Sequence, residues 1–232
     1  MSRLRIRAAL RDHKPENCAV ACSFGKDSVL VLHLVREQYP DIAVVHCNTG
    51  VEFPETLAFK EQIVNQWSLN YHEAKPNTTF GKIVSKYGLP GIRLKDGERE
   101  PKCCYYLKDL PGRLMYEELG TKCIFTGITA SESRNRFFLS KRCGDYYQHK
   151  DPKELGRWKC HPIMDFTESD VWDAHSILDI PHNPFYDRCP GDRVGCAPCT
   201  AYIDWFRKMP YQSPKWFNWV LKKMGQKRLS DY

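Results

Sequence analysis

The chain has 232 residues, 42% hydrophobic and 27% charged, enough for one sizeable α/β core with a small appended segment. Thirty-five Lys and Arg against 28 Asp and Glu leave a net charge of +7, which suits an anionic partner such as a nucleotide or nucleic acid without requiring one. No apolar run reaches the length of a membrane span, and 11 cysteines without a secretory leader pattern argue against a disulfide framework and for a cytoplasmic setting.

Residues 1–16 read as a basic N-terminal segment in which arginines alternate with short apolar residues. From residue 17 the pattern becomes β-α-β-α-β. A short buried strand is expected over 17–23 (NCAVACS), and a helix over 28–38 with apolar residues at 29, 30, 32 and 34. A β-branched strand follows over 42–47 (IAVVHC), then a helix over 56–68 and a strand over 69–74. Such alternation implies a parallel sheet with right-handed crossovers.

Residues 75–102 are rich in Gly, Pro and charge and read as a turn of helix plus a long functional loop. A helix over 104–118, a fourth strand over 122–127 and a fifth extended segment over 159–164 complete the predicted sheet. The polar stretch 140–157 reads as irregular. Thr167 is the expected N-cap of another helix, with Asp170 as its capping-box partner. Residues 180–198 carry four prolines and read as loop, and a basic aromatic tail, KWFNWVLKKMGQKR, follows Pro214. The simplest division is a basic segment 1–16, a nucleotide-binding domain 17–180, and a cysteine-rich C-terminal segment with its tail, 181–232.

The stretch Ser23-Phe24-Gly25-Lys26-Asp27-Ser28 lies between the first strand and the helix after it. A strand, a glycine turn and a helix N-terminus make an anion site, because free N–H groups and the helix dipole favour negative charge there. Gly25 allows close backbone approach, Lys26 supplies a point charge for a phosphate oxygen, and Ser23 and Ser28 supply hydroxyl donors. Asp27 is repulsive to phosphate unless it orients the lysine or holds Mg²⁺. The loop is not of the G-x-x-x-x-G-K-[ST] kind.

SFGKDS resembles the SGGKDS loop of the N-type ATP pyrophosphatases. Four further segments resemble, in order, motifs of the phosphoadenosine-phosphosulfate reductase family within that superfamily: HCNTGVEFPET (46–56), GITASESRNR (127–136), CHPIMDFTESDVW (160–172) and RVGCAPCT (193–200). The resemblance implies a Rossmann-like adenine-nucleotide α-hydrolase fold: a five-stranded parallel sheet with helices on both faces, plus a cysteine-rich C-terminal extension. It places the phosphates of ATP with Mg²⁺ at residues 23–28, with Lys26, Asp27 and Ser28 catalytic. It places the nucleoside near Asn48, Thr49, Gly50 and Gly127, and anion clamps at Arg134 and Arg136. Thr129 departs from the pattern, since the family often has an arginine there.

Cys103-Cys104 and Cys196-x-x-Cys199, 92 positions apart, suit either a 4Fe–4S cluster or Zn²⁺. The paired arrangement resembles the cluster ligands of assimilatory adenylylsulfate reductases. Cys189 is a spare thiol near the CxxC. Cys18, Cys22, Cys47, Cys123 and Cys160 fall on or beside predicted strands and read as small buried hydrophobes.

Reductases of the family typically lack the Lys-Asp-Ser of the loop and carry a nucleophilic cysteine near their C-terminus; here the loop is intact and no cysteine follows Cys199. The combination resembles the iron–sulfur ATP pyrophosphatase component of DNA phosphorothioation systems. That resemblance implies DNA as acceptor and a cysteine desulfurase as sulfur donor. The aromatic and basic residues of the tail are expected either to contact nucleic acid or to pack on the core. A sulfonucleotide reductase, a tRNA-thiolating enzyme and a non-catalytic nucleotide sensor remain as alternatives, and a homo-oligomeric assembly stays open.

Overall fold

A computed structural model of the protein describes residues 1–91, 102–150, 152–154, 156–202 and 204–225. Most of the predicted long loop (92–101), and Lys227 and Arg228 of the predicted tail, lie outside the described residues. The first element is a helix that the sequence reading did not assign, Ser2–His13 (α1). Ile6, Ala9 and Leu10 recur at helical spacing and enter the main core, where each large apolar side chain is worth roughly 1.5–3 kcal/mol. Arg5 fastens the helix to the body through the carboxylates of Asp145 and Asp165 and the Pro162 carbonyl.

The predicted β-α-β-α-β opening is present as Cys18–Ala21 (β1), Lys26–Arg36 (α2), Ala43–Cys47 (β2), Pro54–Gln66 (α3) and Tyr71–Ala74 (β3). Phe80–Tyr87 (α4) follows, capped by the Thr79 side chain. Lys102–Cys104 (α5), π-helical turns over Tyr105–Asp109 and Leu110–Glu118 (α6) come next, where a plain helix was expected. Pro111 supplies a reason for the π turns: it lacks an N–H and crowds the carbonyl four residues back. Leu110 N–H donates instead to the Tyr105 carbonyl, five residues back, which widens the turn.

Cys123–Thr126 (β4), Arg134–Cys143 (α7), Tyr146–Gln148 (β5), Trp158–Cys160 (β6) and Glu168–Ile177 (α8) complete the body. The Thr167–Asp170 capping box opens α8 as expected. Phe185–Arg188 (α9), Trp205–Gln212 (α10) and Pro214–Lys223 (α11) follow.

The strands form one sheet in the order β3-β2-β1-β4-β6-β5. Five run parallel, and β5 adds an antiparallel edge with Tyr146 opposite Cys160. The expected five-stranded sheet is therefore corrected to six strands. The sixth comes from the polar stretch 140–157, where three residues are too few to show a strand period. Strand order departs from β1 in both directions, so a crevice opens at the carboxyl ends of β1 and β4, where open α/β sheets bind ligands. Among the described residues no helix is long and apolar enough to cross a membrane.

The C-terminal aromatics face inward. Trp216 and Trp219 pack on Phe80 and join the cluster of Val51, Ile83 and Leu107, and Phe217 packs on Trp205 and Phe206. Of the two expectations for this tail, core packing is therefore the one observed; Lys215, Lys222 and Lys223 remain exposed.

His161, just after β6, is 1% exposed, with Nδ1 2.6 Å from Thr126 Oγ1. Burial, then the charges of Lys159 and Arg136, push its imidazole down to about 4 from an ordinary 6.5. The unfolded chain therefore binds this proton before the folded one does, and the neutral form's stability contribution is lost as pH falls from 6.5 towards 4. Urea titrations should show His161→Gln losing about 2 kcal/mol less stability than wild type between pH 6.5 and 4.5. Equal losses in the two proteins would refute a neutral buried imidazole.

Candidate functional site

The loop from Cys22 to Ser28 is held from behind by residues far away in sequence. Phe24 has φ 56°, a left-handed conformation unusual for a bulky residue, and its ring is fully buried against His46 and Tyr71. Asn183 holds it there, donating to the Phe24 carbonyl at 3.1 Å and to Thr56 Oγ1 at 3.0 Å. The Lys26 N–H donates to Tyr186 Oη (3.1 Å), and His175 Nε2 donates to the Lys26 carbonyl (2.8 Å). Ser28 Oγ donates to the Gly25 carbonyl (2.9 Å), lies 3.3 Å from Ser23 Oγ, and accepts the Ser23 N–H. These contacts fix the first turn of α2, whose initial N–H groups have no intrahelical acceptor.

Gly127, at the end of β4, presses on this turn. A Cβ there would lie 2.6 Å from the Asp27 carbonyl carbon and 2.7 Å from the Ser28 nitrogen. Only glycine allows that approach, which is a physical reason for this residue beside the loop.

Two adjoining cavities meet at the loop. One, of about 330 Å³, is lined by Ser23, Asp27, Ser28, Thr49, Lys108 and Gly127 among others. The other, of about 490 Å³, is lined by Lys26, Glu168, Tyr202, Trp205 and Lys208 among others. Glu132, Arg136, Arg193, Gly195 and Cys196 border both. Lys26 is 8% exposed; its ammonium lies 3.1 Å from one Asp27 oxygen and 3.9 Å from Glu168. Arg136 pairs with Glu132, which also closes a capping box with Thr129. Burial lowers the Arg136 guanidinium, and so does the charge of Arg193. Two arginines held within electrostatic reach at a cleft make a binding place for an anion.

The residues expected at the nucleotide divide. Asp27, Ser28, Ser23, Thr49 and Gly127 line the smaller cavity and Lys26 the larger. Asn48 and Gly50 face another groove, beside Thr79, Phe80 and Trp216, where the Asn48 side chain accepts from Gly50 N–H and donates to Glu73. Phe24 contributes its backbone, since its ring belongs to the core. Arg134 begins α7 exposed to solvent and lines neither cavity, whereas Arg136 lines both, so the two expected clamps do not share a cavity.

Arg193 and Lys108 were missed by sequence reasoning. Lys108 reaches the smaller cavity because the π turn redirects it, and Arg193 because the segment bearing Cys196 folds back onto residues 49–52. Neither signal resides in local spacing. Cys47 is also more than a core filler: it borders the smaller cavity, and burial pushes its thiol up to about 11.

All eleven cysteines are free thiols. The two pairs from 103–104 and 196–199 come together in space. Cys103 is pushed up first by its hydrogen bond with Cys104, then by burial and by the sulfurs of Cys104, Cys199 and Cys196. Cys196 and Cys199 are pushed up mainly by burial, with Lys108 and Arg193 respectively opposing. Among the described residues no group of three or more His, Cys, Asp or Glu side chains is arranged to hold a metal ion. One Zn²⁺ would draw four thiolates to within about 4 Å of one another at bonds near 2.3 Å. A cube of four irons spreads its ligands farther apart, and two thiol pairs from two segments with cations beside them fit its donor set and negative charge.

Residues 17–202 match the family described as the phosphoadenosine phosphosulfate reductase domain. Phosphoadenosine 5'-phosphosulfate reductase of Xanthomonas euvesicatoria pv. vesicatoria is 30% identical over 193 residues, spanning 79% of this chain and 71% of that protein. The crystal structure of phosphoadenylyl-sulfate reductase from Candida auris, a phosphate complex, superposes with a TM-score of 0.61 at 17% identity, over 80% of this chain and 83% of that one. The U34-tRNA thiolase of Methanococcus maripaludis with its 4Fe–4S cluster superposes with a TM-score of 0.51 at 16% identity, over 98% and 80%. These two likenesses concern the fold.

Proposed function

The chain belongs to the phosphoadenosine phosphosulfate reductase domain family, and from that premise we propose that it cleaves ATP to AMP and pyrophosphate, adenylylating a DNA backbone phosphate for sulfur incorporation. The observation that carries this reading is Lys26, almost buried at the wall between the two cavities, with Asp27 beside it and an intact turn of N–H and hydroxyl donors around it. A departing pyrophosphate concentrates negative charge, and a buried ammonium in a preformed cleft stabilises it most where water is excluded. Reduction of a sulfonucleotide releases no pyrophosphate.

In this reading MgATP lies with its phosphates on the first turn of α2, and Arg136 and Arg193 hold the acceptor phosphate across the junction. An acceptor oxygen attacks the α-phosphorus and a new P–O bond forms. The bond to the bridging oxygen breaks, and pyrophosphate leaves with the electron pair. Lys26 and the Ser23 hydroxyl receive the developing charge, while Asp27 orients Lys26 and Ser28 braces the turn through the Gly25 carbonyl. The terminal sulfur of a persulfide supplied by a cysteine desulfurase then attacks the acceptor phosphorus and displaces AMP; a second thiol cleaves the S–S bond of that adduct, leaving the phosphorothioate and a disulfide that a thiol reductant restores. Cys103, Cys104, Cys196 and Cys199 would hold a 4Fe–4S cluster, which when bound would supply an electron store beside the cleft. A cytoplasmic setting, which keeps such thiols reduced, belongs to this reading.

One observation favours a second reading: the curated relative at 30% identity is named a sulfonucleotide reductase. Anaerobically purified protein, incubated with MgATP with and without DNA or RNA, and separately with adenylylsulfate or its 3'-phosphorylated form plus thiol, separates the two. Pyrophosphate without sulfite is expected. Sulfite without pyrophosphate would establish the reductase instead, and turnover dependent on RNA alone would move the acceptor to tRNA.

A further inference from the structure

Helix α7, RNRFFLSKRC, buries none of its ten residues. A helix this short is marginal in water unless an apolar face packs on something. Here the support is local: Ser133 accepts the Arg136 N–H at 3.3 Å, and Glu132 pairs with Arg136. Arg134, Arg136, Lys141 and Arg142 lie along the helix, which contains no acidic residue. Among the described residues only Arg136 of these four has a carboxylate partner.

Phe137 and Phe138 stand 48% and 59% exposed, with ring centroids 5.9 Å apart, and the Lys141 ammonium lies over the Phe137 ring. Adjacent exposed aromatics rimmed by charge mark an interaction surface. The uniform positive charge makes its partner polyanionic. The helix leads into the cleft, because Arg136 borders both cavities.

We propose that α7 is the docking surface for single-stranded DNA that carries the acceptor phosphate. Phe137 and Phe138 stack on unpaired bases, Arg134, Lys141 and Arg142 neutralise backbone phosphates, and the strand enters the junction at Arg136. The inference deepens the nucleic-acid acceptor reading and rests on it. A folded protein partner would use the charge of this helix but would gain nothing from its continuity with the cleft. An unpaired strand uses both, since every base has a face to stack.

The test is anisotropy titration of the full chain with a fluorescein-labelled single-stranded DNA of about 20 nucleotides, long enough to cover one binding site. Phe137→Ala with Phe138→Ala is expected to weaken binding at least about 20-fold, from two lost stacking contacts. Phe137→Leu with Phe138→Leu keeps the apolar area without the π-face and is expected to weaken binding nearly as much. Lys141→Glu with Arg142→Glu is expected to reduce the slope of log K against log salt by about 1.4, for two phosphate contacts on a single strand. MgATP affinity should be unchanged in every variant, all of which alter exposed side chains.

Wild-type affinity in the alanine or leucine pair overturns the proposal. So does tighter binding of RNA of the same sequence, or a dimer that the alanine pair dissociates without change in DNA affinity. If the variants lose DNA binding while wild type releases no pyrophosphate from MgATP, the docking surface stands and the adenylylation reading fails.

Discussion

Lys26→Ala is expected to lower pyrophosphate release by about 10²–10³-fold, the usual cost of removing one preorganised group from a developing anion. The loss should appear in kcat, with KM for ATP changed only a few-fold. Ground-state ATP has other donors, the remaining first-turn N–H groups and the Ser23 hydroxyl, whereas charge on the leaving pyrophosphate appears only as the bond breaks. Lys26 is nearly buried and paired with Asp27, so its removal leaves that carboxylate without its closest cation. Lys26→Met keeps the packing volume, and a thermal melt shows whether either variant loses fold as well as charge. A loss confined to KM would make Lys26 a binding group only and would remove the central support for ATP cleavage.

Gly127→Ala should be the most damaging single methyl group in the site. The added carbon would sit 2.6–2.7 Å from Asp27 and Ser28 backbone atoms, which cannot rotate away as a side chain would. Overpacking of this kind costs about 1–3 kcal/mol. The larger effect is geometric: displacing the first turn of α2 by about 1 Å misplaces every phosphate donor together and costs about 10²-fold in turnover. Gly50→Ala is the contrast. Its φ of 72° makes alanine strained, but nothing lies within 4 Å of the new carbon and the residue faces another groove. That variant should lose about 1 kcal/mol of stability and keep its turnover. Wild-type melting and turnover in Gly127→Ala would mean that the loop tolerates displacement and that its tight geometry is not needed.

The alternation of short β-branched runs with amphipathic helices sufficed for the order of the first five elements after α1, because burying a strand on two faces and a helix on one leaves a periodic mark in the chain. The strand-to-helix turn of residues 23–28 was equally legible, since a strand, a glycine turn and a helix start are consecutive residues. So was the capping box at Thr167, whose two members lie three residues apart. Helix α7 left no such mark, because a helix with no fully buried residue has no apolar period to find. The edge strand β5 was too short, and α1 looked like a basic segment because its four arginines outnumber its three buried apolar residues, Ile6, Ala9 and Leu10.

The sequence by itself determined the fold class, the family, the loop and the pairing of the cysteines into two sets, all of which follow from local spacing and order. Only the tertiary structure decided which residues face the cleft. It turned Asn48, Gly50 and Arg134 away, brought in Lys108 and Arg193, and placed Asn183, Tyr186 and His175 behind a loop about 150 residues earlier. The physical reason is that such placements depend on crossovers, a π turn and one returning segment. These bring distant residues together through packing and hydrogen bonds that no local periodicity records.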